Sequence, residues 1–174
     1  MSKETLLKSI RTIPDYPKQG ILFYDVTTLF KDPVALHNAA DILYDMYKDK
    51  GITKVAGIES RGFILGAILA ERLGAGFVMV RKPGKLPAET IEISYEKEYG
   101  KDTIQIHKDA IGPDDVVLMH DDLLATGGTM RAACEMVQTM HPRKVYVNFL
   151  IELKALHGRE VFDKDVELDT VLAL

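Results

Sequence analysis

Apolar positions along the 174-residue chain recur at two spacings, one helical and one alternating. Residues 2–11 carry Leu6, Leu7 and Ile10 on one side, which predicts a short amphipathic helix. A stronger helix begins at Asp32-Pro33, with Asp as N-cap and Pro in the first helical position. Leu36, Ala39, Ala40, Leu43 and Met46-Tyr47 hold helical spacing until Gly51. Lys54–Ile58 is a short apolar strand, and Glu59-Ser60-Arg61-Gly62 turns the chain into an apolar helix over 63–73 that stops at Gly74. A strand at 77–80 leads to a basic, proline-containing loop, 81–90. Residues 90–96 and 102–107 alternate around Tyr99-Gly100-Lys101 and predict a hairpin. A turn at Gly112-Pro113-Asp114 precedes a buried strand, 116–120, a loop, 121–128, and a helix, 129–141. Residues 144–150 form another strand, and 166–173 suit an edge strand.

Short apolar strands alternating with helices predict an α/β fold with a largely parallel central sheet flanked by helices. Such sheets bind ligands beyond the carboxyl ends of their strands. Two loops leave such ends, 59–62 and 121–128, and both carry unusual chemistry.

The second loop reads His120-Asp121-Asp122-Leu123-Leu124-Ala125-Thr126-Gly127-Gly128-Thr129. Its glycines permit φ > 0 and let backbone N–H groups converge, and the following helix adds a partial positive charge. Thr126 and Thr129 add hydroxyl donors, so the segment cradles a phosphate. The paired carboxylates would repel that phosphate but suit neighbouring hydroxyls, such as the cis-diol of a ribose. Alone, the acidic pair could cap a turn and the glycines could merely allow one. Together, after a buried strand and before a helix, they describe a site for ribose 5-phosphate. Neither G-x-x-x-x-G-K-[ST] nor G-x-G-x-x-G occurs.

Composition narrows the classes further. The chain is 47% hydrophobic and 28% charged, ordinary for a globular protein, and its net charge of −4 argues against a broad nucleic-acid surface. A single cysteine, Cys134, excludes an intrachain disulfide and reads as a small buried helix residue. No apolar stretch is long enough to span a bilayer and Met1-Ser2-Lys3-Glu4 is no signal peptide, so a cytoplasmic location is expected.

Asp121 through Thr129 (D-D-L-L-A-T-G-G-T) resembles the phosphoribosyl pyrophosphate (PRPP) motif of type I phosphoribosyltransferases, in the wording typical of adenine phosphoribosyltransferases. Similar motifs follow the family's order along nearly the whole chain. They are Phe23-Tyr24-Asp25-Val26-Thr27, Glu59-Ser60-Arg61-Gly62-Phe63, Arg81-Lys82-Pro83-Gly84-Lys85-Leu86-Pro87 and Tyr95-Glu96-Lys97-Glu98-Tyr99-Gly100. The resemblance implies one type I phosphoribosyltransferase domain over 1–174. Residues 1–30 would contribute the base-binding segment, and 81–107 a flexible loop and β-hairpin over the active site. It implies purine salvage: adenine and PRPP give AMP and diphosphate, with Mg²⁺ bound mainly through PRPP and no metal held by protein ligands alone.

The implied roles map onto this sequence as follows. Asp121 and Asp122 hold the ribose, and Ala125, Thr126, Gly127, Gly128 and Thr129 hold the 5′-phosphate. Glu59, Ser60 and Arg61, with a cis peptide at Glu59–Ser60, meet the diphosphate together with Arg81, Lys82 and Lys85. Leu22, Tyr24, Arg61 and Leu153 contact adenine. Arg61 and Glu98 are the catalytic candidates, Glu98 for a proton on the purine, with Tyr99 as its alternate. Arginine reaching across from a second subunit implies a homodimer. Two positions depart from the usual pattern: Tyr24 stands where many relatives carry Arg, and His120 where an apolar residue is usual. Two other readings remain: transfer to another purine, or a PRPP-sensing regulator of nucleic acid. The acidic balance and the absence of room for a helix-turn-helix disfavour the second.

Overall fold

A long helix with a side-chain cap starts where the sequence places it. In the computed structural model, which describes residues 3–96 and 100–174, α3 (Pro33–Tyr47) opens with Asp32 Oδ1 accepting from the amides of Val34 and Ala35. Before it come α1 (Lys3–Lys8), β1 (Arg11–Pro14), β2 (Leu22–Asp25) and α2 (Thr27–Lys31). The predicted helix over 2–11 is therefore shorter than expected. Its end gives way to β1, which pairs antiparallel with β2 in the register Ile13↔Phe23.

β3 (Lys54–Ile58), α4 (Gly62–Leu73) and β4 (Gly76–Val80) follow, then the hairpin β5 (Thr90–Glu96) and β6 (Lys101–His107). β7 (Val116–Leu124), α5 (Gly128–Gln138), β8 (Lys144–Glu152) and β9 (Glu167–Ala173) complete the order. Five strands form one sheet in the order β4-β3-β7-β8-β9, and every neighbouring pair is parallel. The crossovers β3–α4–β4 and β7–α5–β8 supply the helices such a sheet needs on both faces.

Each face has its own core. Leu118 of β7 joins Leu6, Leu43, Leu65 and Leu69 on the α1, α3 and α4 side. Its neighbours Val117 and Met119 join Met130, Ala133, Met136 and Val137 of α5 and Ile104 and Ile106 of β6 on the other. The alternation of a strand buried on both faces explains the unbroken apolar run 116–119. Cys134 packs on this second core, and burial pushes its thiol up to about 12.

β7 does not end at residue 120. It continues through Asp121 and Asp122 to Leu124, so the expected loop 121–128 shrinks to 125–127. β8 similarly runs on to Glu152. Two 3₁₀ turns, Lys154–Leu156 and Gly158–Val161, connect it to β9.

Candidate active site

The connection between β7 and α5 is shaped by close backbone contact. Gly127 has φ +81°, and a Cβ there would lie 2.4 Å from the Gly158 carbonyl oxygen and 2.8 Å from Val161 Cγ2. A Cβ on Gly158 would lie 2.1 Å from the Ala125 carbonyl oxygen. The turn after β8 is thus pressed against the turn after β7, and only glycine fits at either point. Gly127 is also the N-cap of α5 and offers no side chain to its first turn. α3 keeps its first amides for Asp32; α5 leaves its own to an incoming acceptor. Ala125, Thr126, Gly127, Gly128 and Thr129 line a pocket of about 100 Å³ there, with Asp121, Leu123 and Phe149.

The acidic pair sits on the last pleats of β7, so successive side chains face opposite ways. Asp121 faces the α5 and hairpin side and lines that pocket. Asp122 is buried, and Arg61 Nε lies 2.7 Å from its Oδ2. Burial raises both carboxyls above their ordinary range. The neighbouring Asp122 charge raises Asp121 further, while Arg61 opposes the rise at Asp122. Gly62 lets α4 approach: a Cβ there would lie 2.9 Å from the His120 carbonyl oxygen and 3.0 Å from Asp121 Oδ1.

At the other end of the cleft the Glu59–Ser60 peptide is cis. The amides of Phe63 and Ile64 turn back onto the carbonyls of Ser60 and Arg61, so the first turn of α4 is partly closed on itself. Glu59 grips Arg81 with both oxygens, at 3.1 and 3.0 Å, and accepts the Lys82 amide at 3.0 Å. The Arg81 guanidinium holds the Glu59 carboxyl below its usual range. Lys82 Nζ pairs with Asp102, and Lys85 is exposed. Glu59, Arg81, Lys82, Tyr95, Ile104, Asp121 and Thr129 line a pocket of about 220 Å³. Asp121 and Thr129 border both pockets, so the two are halves of one cleft.

Leu22, Tyr24 and Leu153 line neither of these two pockets. Leu22 is exposed on β2. Tyr24 and Leu153 both pack on the rim of the α3 and α4 core, and the Leu153 amide donates to the Leu124 carbonyl at 3.0 Å. Glu98 and Tyr99 lie outside the described residues. His120 is fully buried, with Nδ1 3.0 Å from Asn148 Oδ1. Burial lowers it to about 4, so it is a neutral core residue at pH 7.

This arrangement joins an uncapped helix start, a strand-end carboxylate and a cation-lined pocket, and the family comparisons agree with it. A family model for the phosphoribosyl transferase domain matches residues 25–171. A curated adenine phosphoribosyltransferase from Bacteroides thetaiotaomicron is 71% identical over 174 residues, covering 100% of this chain and 99% of that one. The chain belongs to the adenine phosphoribosyltransferase family. Solved adenine phosphoribosyltransferases share its fold. The protein from Rhodothermus marinus is 50% identical with a TM-score of 0.91, over 99% of this chain and 98% of that one. The one from Giardia lamblia, complexed with 9-deazaadenine, is 46% identical with a TM-score of 0.92, over 100% and 98%.

Sequence reasoning missed two contributors to this adenine phosphoribosyltransferase cleft. Gly158 buttresses the 125–127 turn, and Tyr95 Oη lies 2.9 Å from Thr129 Oγ1. Tyr95 sits in a quoted motif, but a contact across 34 residues has no local signal.

Proposed function

We propose that the chain transfers the phosphoribosyl group of PRPP to adenine, giving AMP and diphosphate, and that the cleft between β7, α5, β3 and β4 does this work. The observation that carries the proposal is the unshielded start of α5 immediately after the Asp121–Asp122 strand end. A 5′-phosphate accepted by the amides and hydroxyls of residues 126–129 brings the ribose diol to the acidic pair. Asp121 is best placed for it; Asp122 is shared with Arg61. Adenine then lies towards Leu153, Leu22 and Tyr24, between apolar faces and backbone groups.

The diphosphate meets residues 60–62 and the cations of the 81–85 loop. In this reading Glu59 acts by holding Arg81 rather than by touching the anion, since a carboxylate repels it. As diphosphate departs, positive charge develops on the ribose, and the fixed cations stabilise the leaving anion. Glu98 takes up or shares the proton that adenine N9 loses, a role assigned from the sequence alone.

The residues fit a Mg²⁺ that arrives with its substrate. Among the described residues no group of three or more His, Cys, Asp or Glu side chains could hold a metal, and Glu59 and Asp122 are occupied by arginines. Asp121, which borders both pockets, would be the carboxylate available to it, with substrate oxygens and water supplying the rest of its shell. Bound there, it would supply charge neutralisation of the diphosphate.

The chain acts as a homodimer in the cytoplasm; among the described residues no helix is long and apolar enough to cross a membrane. The deciding experiment follows AMP formation from PRPP and Mg²⁺ with adenine, hypoxanthine, xanthine and guanine. Turnover with adenine, at least tenfold above the others in kcat/KM, is expected. Preference for another base would overturn the assignment. Sedimentation at twice 19.4 kDa tests the dimer, and a fully active monomer would refute it.

A further inference from the structure

One short segment, 153–158, belongs to both assigned ends of the nucleotide site. It begins at Leu153, placed above against adenine, whose amide donates to the Leu124 carbonyl at 3.0 Å. It ends at Gly158, which is pressed against Ala125 and Gly127 of the 5′-phosphate turn. Glu152 and Arg159 stand immediately outside it on either side, and their side chains close it into a loop. Arg159 donates from Nε to Glu152 Oε1 at 3.0 Å and from Nη2 to Oε2 at 2.6 Å. Its Nη1 donates to the Leu168 carbonyl of β9 at 2.8 Å. Thr170 Oγ1, from the same strand, donates to Glu152 Oε2 at 3.1 Å.

Glu152 is only 7% exposed, and the Arg159 hydrogen bonds hold its carboxyl below the usual range, so it stays ionised. A planar guanidinium that meets two carboxylate oxygens and a carbonyl at once permits one orientation; a lysine ammonium is a point charge on a flexible stem. Between the clamped residues lie only short 3₁₀ turns and His157 at a left-handed φ of +53°, so no ladder of hydrogen bonds sets the length of the loop. We infer that Arg159 is a positioning residue that fixes the spacing between the adenine end and the 5′-phosphate end of the site. It lines neither half of the cleft, so it acts through the loop. A ligand that spans both ends feels an error in that spacing; a ligand that fills one end does not.

The inference rests on the proposed assignment of the two ends, and the test separates the two. Affinities for AMP, which spans them, and for ribose 5-phosphate, which does not, are measured by calorimetry. In Arg159→Lys, AMP should weaken at least about tenfold and ribose 5-phosphate less than about threefold, since a remote misplacement near 1 Å can cost about 10²-fold. A merely structural role would weaken both ligands alike. Chemical rescue supplies a second readout. Glu152 and Arg159 also line a cavity of about 630 Å³ that shares no residue with the cleft, so free guanidinium can reach the place vacated in Arg159→Ala. Millimolar guanidinium should restore AMP affinity to Arg159→Ala at least about fivefold by remaking the charge-assisted bonds to Glu152. Sodium at the same ionic strength should not, and the double variant Glu152→Gln with Arg159→Ala should not respond. Equal losses for the two ligands in Arg159→Lys, or no loss of AMP affinity, overturn the inference, as does a folded Arg159→Ala that guanidinium leaves unchanged. Failure of ribose 5-phosphate to bind wild type overturns the site assignment, and this inference with it.

Discussion

Replacing Gly127 and Gly128 separately with alanine should divide stability from binding at adjacent residues. Gly127→Ala faces two costs. Its φ of +81° is left-handed, which costs a residue with a Cβ roughly 1–2 kcal/mol. The new methyl would also stand 2.4 Å from the Gly158 carbonyl, which is backbone and cannot rotate away. Forcing such an overlap costs about 1–3 kcal/mol more. The sum, about 2–5 kcal/mol, corresponds to a fall of roughly 4–20 °C in Tm for a chain of this size.

Gly128 differs: a Cβ there meets nothing within 4 Å, and it occupies the first helical position of α5. Gly128→Ala should therefore hold or raise Tm, since alanine restricts the unfolded chain and suits a helix by about 0.5–1 kcal/mol. Its methyl, however, enters the pocket assigned to the phosphate. Losing one charge-assisted hydrogen bond, worth about 1.5–3 kcal/mol, should weaken AMP binding about 10- to 100-fold. Thermal melts and AMP calorimetry on both variants suffice. A Gly127→Ala protein melting within about 2 °C of wild type would refute the packing argument. A Gly128→Ala protein binding AMP normally would refute the phosphate assignment.

Three further outcomes are expected. Asp121→Asn with Asp122→Asn should raise the Michaelis constant for PRPP at least about tenfold without lowering Tm, because burial already disfavours both charges; an unchanged constant refutes the diol assignment. His120, lowered by burial to about 4 from an ordinary 6.5, is stabilising only while neutral, so it should cost the fold about 3 kcal/mol as pH falls from 6.5 to 4. Urea midpoints of His120→Leu with Asn148→Leu should lack that part of the slope, and identical pH profiles would sink the reasoning. Glu98→Gln should lower kcat by roughly 10²–10⁴-fold with little change in either Michaelis constant; turnover within about threefold of wild type would move the role to Tyr99.

The fold was legible where the pattern was strong. Asp32-Pro33 and Gly74 bound their helices as the capping rules expect, and β3, β4 and the β5–β6 hairpin fall within a residue of their predicted limits. β1 and β2 were not legible, because both are short, β1 is mostly solvent-facing and holds a proline, and β2 is only half-buried. β7 was cut short because two adjacent aspartates read as loop. They survive in a strand because Arg61 meets Asp122 and the pleat turns Asp121 to the cleft. Glu152 at the end of β8 is likewise sustained by Arg159 and Thr170, partners no local pattern announces. Within the site, residue types and order were readable. Which cation each carboxylate grips was not, since Glu59–Arg81 and Lys82–Asp102 depend on how the 81–85 loop crosses the hairpin.

The contrast between the two helix starts has a consequence for exchange kinetics. α3 carries its own cap in Asp32, whereas α5 begins at a glycine with none. Under the proposed function, an anion in the loop supplies the acceptor that α5 lacks, so substrate would complete a piece of secondary structure. Amide protons at 128–130 should then exchange with solvent quickly in the free protein and become protected when AMP binds, while those at 34 and 35 stay the same. The same linkage makes melting temperature a titration of the loop, since AMP adds RT ln(1 + [L]/Kd) to the stability, about 2.7 kcal/mol at a hundredfold excess over Kd. An inhibitor that merely fills the adenine end would stabilise the protein without that local protection, which gives a way to sort ligands by the end of the cleft they occupy.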